Sequence, residues 1–289
     1  MIQLVSKELP PDVQAQLTAL QRRVDDEPTF EAKAKKAQDL WESKGGKKGK
    51  EAFEKIVQTL QTMCVYVRIC NYCEQSEASD VEHIYPKSLY PEYAFQWDNY
   101  LLACKQCNSG YKLDTFFVLD ATENAVELVR GTEPPHKTLA FINPRTENPH
   151  NWMILNTSTF TFDLLPDLSK RDVNKAIKTL DVLQLNVRDT LLTARKSAAR
   201  YYYQRMLLLV DIVNATTKNQ LFQLLTPYDA LLDQQQSLAE LQEELKTSFK
   251  KDITTYQHPS VWHAIKIVAS KTSPKWKAIF DQLPEALHW

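Results

Sequence analysis

The sequence predicts a mainly helical protein, α+β overall, in which one small unit of a different kind interrupts the helices. Three observations carry this. Only five glycines occur in 289 residues, and long stretches are rich in Leu, Lys, Gln, Glu and Ala, residues that favour helix. Apolar residues recur at helical spacing before residue 65 and after residue 169. Between them, over 66–120, cysteines, prolines and aromatics cluster and the helical spacing is lost. Four segments follow: a helical segment at 1–65, the distinct unit at 66–120, a strand-and-turn connection at 121–168 and a helical region at 169–289.

In the first segment Val13, Leu17 and Leu20 share one helical face, and Phe53, Ile56, Val57 and Leu60 share another. The run SKGGKKGK at 43–50 lies between them. Its glycines break helix and its lysines repel one another, so it reads as a solvated loop, with a phosphate-contacting loop as the alternative. Further on, VELV at 126–129 and TFTFDL at 159–164 alternate like strands, and Asn143-Pro144 and Asn148-Pro149 mark turns. Ser169 with Asp172 resembles a capping box. Leu180, Leu183, Val187 and Leu191 form an apolar stripe, Pro227 and Pro274 read as first helical residues, and 230–246 reads as one long amphipathic helix. The stripes are read as core packing, with partner docking on one of them as the alternative.

Hydrophobic residues make up 43% of the chain, enough for a substantial core, and the formal net charge is -1. That charge neither supports nor excludes a nucleic-acid partner, which needs only a local basic surface. No run of about 18 apolar residues occurs, so no membrane span is expected. The start, MIQLVSKELPPD, lacks an apolar signal region. A cytoplasmic chain is therefore expected, and in that reducing compartment five cysteines point to metal binding before disulfides.

The cysteines have the spacing for it. Cys70-Asn71-Tyr72-Cys73 and Cys104-Lys105-Gln106-Cys107 are two CxxC pairs. Each such turn brings two thiolates onto one ion, and two turns make a closed tetrahedral four-cysteine zinc site with no position left for substrate. This zinc is structural. A redox pair is the alternative for a single CxxC, but two paired sets argue against it. Cys64, in the apolar run MCVYV, reads as a core thiol.

Within and just after the cysteine frame stand DVEHIYPKS at 80–88 and WDNYLLACKQCNSGYKLD at 97–114. This arrangement, over about 45 residues, resembles the HNH endonuclease family, whose fold is a ββα unit that holds a metal. The resemblance implies hydrolysis of nucleic-acid phosphodiester bonds. It makes His83 the general base, Asn99 the residue that holds the imidazole at its other nitrogen, and Glu82 with Asn108 the ligands of one Mg²⁺ or Mn²⁺ ion. Lys112, one turn beyond Asn108, is placed to contact phosphate. The family position often filled by His is Asn108 here, an oxygen donor suited to a hard ion. Adjacent Glu82 and His83 point to opposite sides of a strand unless it bends, and Pro86 is consistent with a bend. The other histidines carry no comparable context.

A wider likeness rests on FINPR at 141–145, Asn148-Pro149 and TLDVLQLNVRDTLLTAR at 179–195. Their order resembles the HNH component of Septu-type anti-phage systems. That resemblance implies an ABC-like ATPase partner, with DNA before RNA as substrate. A standalone restriction-type HNH nuclease, or a zinc module that binds without cutting, are the alternatives.

Overall fold

The computed structural model describes every residue except 66–67, 136, 229–232 and 234. Helices predominate, and the strands form two-stranded sheets. The chain folds into two compact units: Met1–Ile154 with Thr161–Leu191, and Leu155–Phe160 with Leu192–Trp289. No helix among the described residues is long and apolar enough to cross a membrane.

The first unit opens with three helices. α1 (Pro11–Asp25) buries Val13, Leu17, Leu20 and Val24, and packs on α2 (Phe30–Ser43) and α3 (Lys47–Thr62). Burial of one such side chain is worth about 1.5–3 kcal/mol. The Thr29 side chain caps α2 by accepting from Ala32 N. On α3, Phe53, Ile56 and Leu60 are buried as their spacing predicts, while Val57 is half-buried.

The 43–50 run keeps Lys47, Lys48 and Lys50 exposed, as a solvated segment should, but only its first part is loop. α3 already begins at Lys47, which leaves Lys44, Gly45 and Gly46 to reverse the chain, with φ of 54, 67 and 95°. The corner closes onto the first turn of α3. A Cβ at Gly49 would stand 1.5 Å from the Lys44 carbonyl oxygen. Gly49→Ala must therefore spread the corner, and overpacking of this kind costs about 1–3 kcal/mol. Thermal unfolding measures the loss against Gly110→Ala, whose added carbon meets the Gln106 side chain at an ordinary 3.4 Å. Equal melting temperatures for the two variants would refute the reading.

Next come β1 (Asp80–His83) and β2 (Tyr100–Ala103), antiparallel with Glu82 opposite Leu101 and His83 opposite Tyr100. A π-helix, Gln106–Lys112, follows directly. This is the expected ββα unit, with its helix wound wider than an α-helix, a form concentrated at functional sites. β3 (Phe117–Leu119) pairs with β4 (Ala125–Glu127), and β5 (Met153–Leu155) with β6 (Phe162–Leu164). β6 takes only the last half of TFTFDL, because Phe160 turns the chain at φ 63°.

α4 (Lys170–Val182) is capped by Ser169, whose hydroxyl accepts from Asp172 N. Leu180, Leu183 and Leu191 are buried, but Val187 is 71% exposed, because α4 ends at Val182 and Val187 falls in the connection before α5 (Asp189–Asn214). In the second unit, most of α5 (Asp189–Asn214) precedes α6 (Lys218–Leu225). Pro227 lies in a 3-10 turn, Thr226–Tyr228, directly behind α6, and the stretch that follows it lies outside the described residues. α7 (Leu238–Thr254) begins behind a complete capping box, Ser237 with Glu240, later than the 230–246 stretch predicts; residues 229–232 and 234 of that region lie outside those described. α8 (Pro259–Ala264) runs through a π-turn into α9 (Ser270–Thr272), and α10 (Pro274–Gln282) begins at Pro274 behind Ser273, as expected.

Candidate active site and metal frame

The four CxxC cysteines come together. The Sγ atoms of Cys70, Cys73, Cys104 and Cys107 all lie within 4.8 Å of one another. Cys73 and Cys104 stand 3.8 Å apart, far beyond a disulfide. With zinc–sulfur bonds of about 2.3 Å, a tetrahedron has sulfur–sulfur edges of about 3.8 Å, so the donor set fits zinc in both softness and size. The local chain builds this frame. Glu74 N donates to the Cys70 carbonyl and Asn108 N to the Cys104 carbonyl, closing each turn. Asn71 ties the first turn to β2 through Leu102 N. Both Nη atoms of buried Arg188 lie 3.6 Å from Cys107 Sγ, where a guanidinium offsets the negative charge of a four-thiolate site. Cys64 is half-buried, with its thiol on the Leu60 and Ile69 carbonyls, apart from the frame.

β1 keeps strict alternation, so Glu82 and His83 part. The His83 ring turns to the side of α2 and lies 4.2 Å from the Trp41 ring and 5.2 Å from Tyr100. Its Nε2 is 2.9 Å from the Ala94 carbonyl, which also accepts the Tyr100 hydroxyl. A carbonyl only accepts, so Nε2 carries the proton and Nδ1 keeps its lone pair. The residue is 6% exposed. Burial, followed by the charge of Lys87, holds its pKa well below the ordinary value, so the ring is neutral near pH 7.

Asn99 does not hold the imidazole. Its Oδ1 accepts from Tyr85 N at 2.7 Å, and its Nδ2 donates to the Tyr85 and Tyr93 carbonyls. Its amide is committed to the loop that carries Ala94, so it reaches His83 only through that loop.

Lys112 also differs from expectation. It is 1% exposed, donates to the His83 carbonyl at 2.8 Å and places Nζ 2.6 Å from Glu82 Oε1. An ammonium so enclosed faces no substrate phosphate. Glu82 is 4% exposed, and burial pushes its carboxyl pKa up against the downward pull of Lys112. Its Oε1 thus has the Lys112 ammonium as a buried ion-pair partner.

Asn108 reaches the open side. Its Nδ2 lies 3.1 Å from Asp80 Oδ2, and both residues line a groove of about 850 Å³ with Trp41, Lys44, Lys50 and Arg68. The carboxylate on Asn108 is thus Asp80, two residues before the Glu82 that the motif names. The sequence assigns Asp80, Trp41 and Arg188 no role, and Lys44 one only within the 43–50 run as a phosphate-contacting alternative. Asp80 and Glu82 lie on one face of a strand, the only signal that could have found the former. Trp41 belongs to a helix distant in sequence, Lys44 to the corner behind it, and Arg188 stands unmarked inside the 179–195 run.

Comparison with known proteins agrees with this geometry. Residues 70–112 match the HNH endonuclease family. The Septu protein PtuB of Bacillus thuringiensis is 29% identical over 140 residues, which is 48% of this chain and 43% of that protein. The chain thus aligns with less than half the length of this curated relative. No solved structure matches. A strand pair and helix bearing Glu82, His83, Asn99 and Asn108 inside a four-cysteine frame, together with the family match, make residues 70–112 an HNH endonuclease unit.

Proposed function

We propose that the chain is a metal-dependent endonuclease that hydrolyses DNA phosphodiester bonds, as the nuclease effector of an anti-phage system with an ATPase partner. The observation that carries the catalytic part is His83, a neutral imidazole whose Nε2–H is fixed on Ala94 O and whose Nδ1 remains available as a base. The Septu part rests on the likeness to PtuB, and the ATPase on the resemblance of the 141–195 segment to Septu components.

In this reading His83 Nδ1 takes the proton of the attacking water. The Ala94 carbonyl steadies the imidazolium that forms, because it accepts from Nε2–H in either state. Asn99 keeps Ala94 in place by fastening its loop. Asn108 would hold one hard ion such as Mg²⁺ or Mn²⁺ with the Asp80 carboxylate beside it, and Glu82 would join them only once its ion pair with Lys112 opens. Rotation of the Asn108 amide presents its oxygen in place of its nitrogen. Such an ion supplies positive charge to the phosphoryl and leaving 3′ oxygens when bound. Lys112 neutralises Glu82 in the ion's absence.

The two metals should separate experimentally. The thiolate site is closed and holds zinc through folding, whereas a carboxylate–amide site exchanges its ion freely. Mild EDTA treatment should abolish plasmid nicking and leave zinc content and melting temperature unchanged, and Mg²⁺ or Mn²⁺ should restore cutting. Continued cutting with zinc as the only metal present would overturn the hard-ion mechanism. Co-expression with an ABC-like ATPase encoded beside a Septu-type nuclease tests the partner, and separate elution of the two speaks against it.

A further inference from the structure

Around Trp41 the α2–α3 corner and the loop after β1 gather two lysines that form no ion pair among the described residues. Lys44 Nζ lies 3.5 Å from the Trp41 ring and 4.5 Å from the Phe53 ring. Lys87 Nζ lies 5.7 Å from the same indole, and the His83 ring lies 4.2 Å from it. Both lysines are half-buried. Neither forms an ion pair among the described residues. Lys50 and Arg68 continue the charge along the groove that Asp80 and Asn108 also line, with Glu54 the other acid on its wall.

Two features show that Lys44 is held there. Its ammonium sits on two aromatic faces, which attract a cation by about 0.5–2 kcal/mol depending on exposure. Its backbone has φ 54°, uncommon for a residue with a Cβ, and the corner closes only because Gly49 lacks one. Strain of this sort concentrates at functional sites. Two like charges brought together and half-desolvated oppose each other unless an anion joins them. Lys44 shows this opposition: burial first, then the charge of Lys87, lowers its pKa to about 8. Asp114 and Glu82 favour the charge on Lys87, but neither pairs with it.

We propose that Lys44 and Lys87, seated on Trp41 beside His83, clamp the phosphodiester backbone of the nucleic acid at the scissile position. The inference rests on the nuclease reading and extends it. The helical segment before the HNH unit becomes part of the substrate site, and the 43–50 run contributes a phosphate contact through Lys44. DNA and RNA share the backbone chemistry that the clamp would recognise.

The test is fluorescence anisotropy of the full chain with labelled duplex DNA and with duplex RNA of the same sequence, in EDTA across a salt series, alongside plasmid nicking with Mn²⁺. Each phosphate contact contributes roughly 0.7–0.9 to the slope of log K against log salt. Lys44→Gln and Lys87→Gln should each lower the slope by about that amount on the preferred nucleic acid, and both should slow nicking. Lys44→Arg should retain slope and rate. Lys137→Gln, which removes a lysine already paired with Glu92, should change neither. Zinc content and circular dichroism report folding, and Lys87→Gln gives an answer that does not depend on the corner. If the wild type binds and cuts, and both folded Gln variants keep its slope, the clamp is wrong and the nuclease reading stands. If the wild type neither binds nor cuts, both fall.

Discussion

Replacement of His83 by Ala should lower plasmid nicking about 10²–10⁴-fold, the usual contribution of a general base. The structure sharpens this expectation. The ring is nearly enclosed between Trp41 and Tyr100, so its loss also leaves a cavity. His83→Gln fills more of that space and still provides no imidazole, which makes it the cleaner variant. Both proteins should keep their zinc, because the thiolate frame does not touch His83. Nicking is measured beside zinc content and circular dichroism. A folded Gln variant that cuts at the wild-type rate would remove His83 from the mechanism, whatever becomes of the metal.

Loss of the zinc frame should be more drastic still. Structural zinc contributes apparent binding free energies of about 10–16 kcal/mol in small zinc units, comparable to the whole stability of a domain. Cys107→Ser removes one thiolate from a closed set of four and leaves the buried Arg188 guanidinium facing a hydroxyl. The expected result is zinc loss, a poorly soluble protein and no cutting, with no rescue by Mg²⁺. Cys64→Ser is the matched control, since that thiol stands outside the frame and should leave zinc content unaltered. A Cys107→Ser protein that retains one zinc per chain and the wild-type melting temperature would show that the four cysteines do not share an ion.

The sequence made the four-cysteine frame legible because each CxxC pair is local: two thiols three residues apart meet whenever the chain makes one tight turn. The helices of the first segment were equally legible, since Val13, Leu17 and Leu20 need only a regular helix to share a face. The differences fall where local rules compete. SKGGKKGK has the composition of a loop, but two positive-φ glycines allow a three-residue reversal and the remaining residues enter α3. Val187 fits the apolar spacing of α4, yet the helix ends at Val182 before reaching it.

By itself, the sequence determined which chemistry this chain carries: four thiolates in two turns, a histidine beside an acid, an asparagine in the following helix. Those residue types and short spacings leave few other uses. Tertiary structure decided how the side chains are paired. Strand alternation sends Glu82 to Lys112 and His83 to Trp41, and the seating of the π-helix puts Asp80, not Glu82, against Asn108. The Ala94 carbonyl selects the tautomer of His83, and Asn99 acts on the loop that bears Ala94. Apart from the Asn99 bond to Tyr93, six residues away, each of these pairings joins residues more than ten positions apart. Chain geometry constrains only a few residues at a time; beyond that range, the packing of one element on another settles which groups meet.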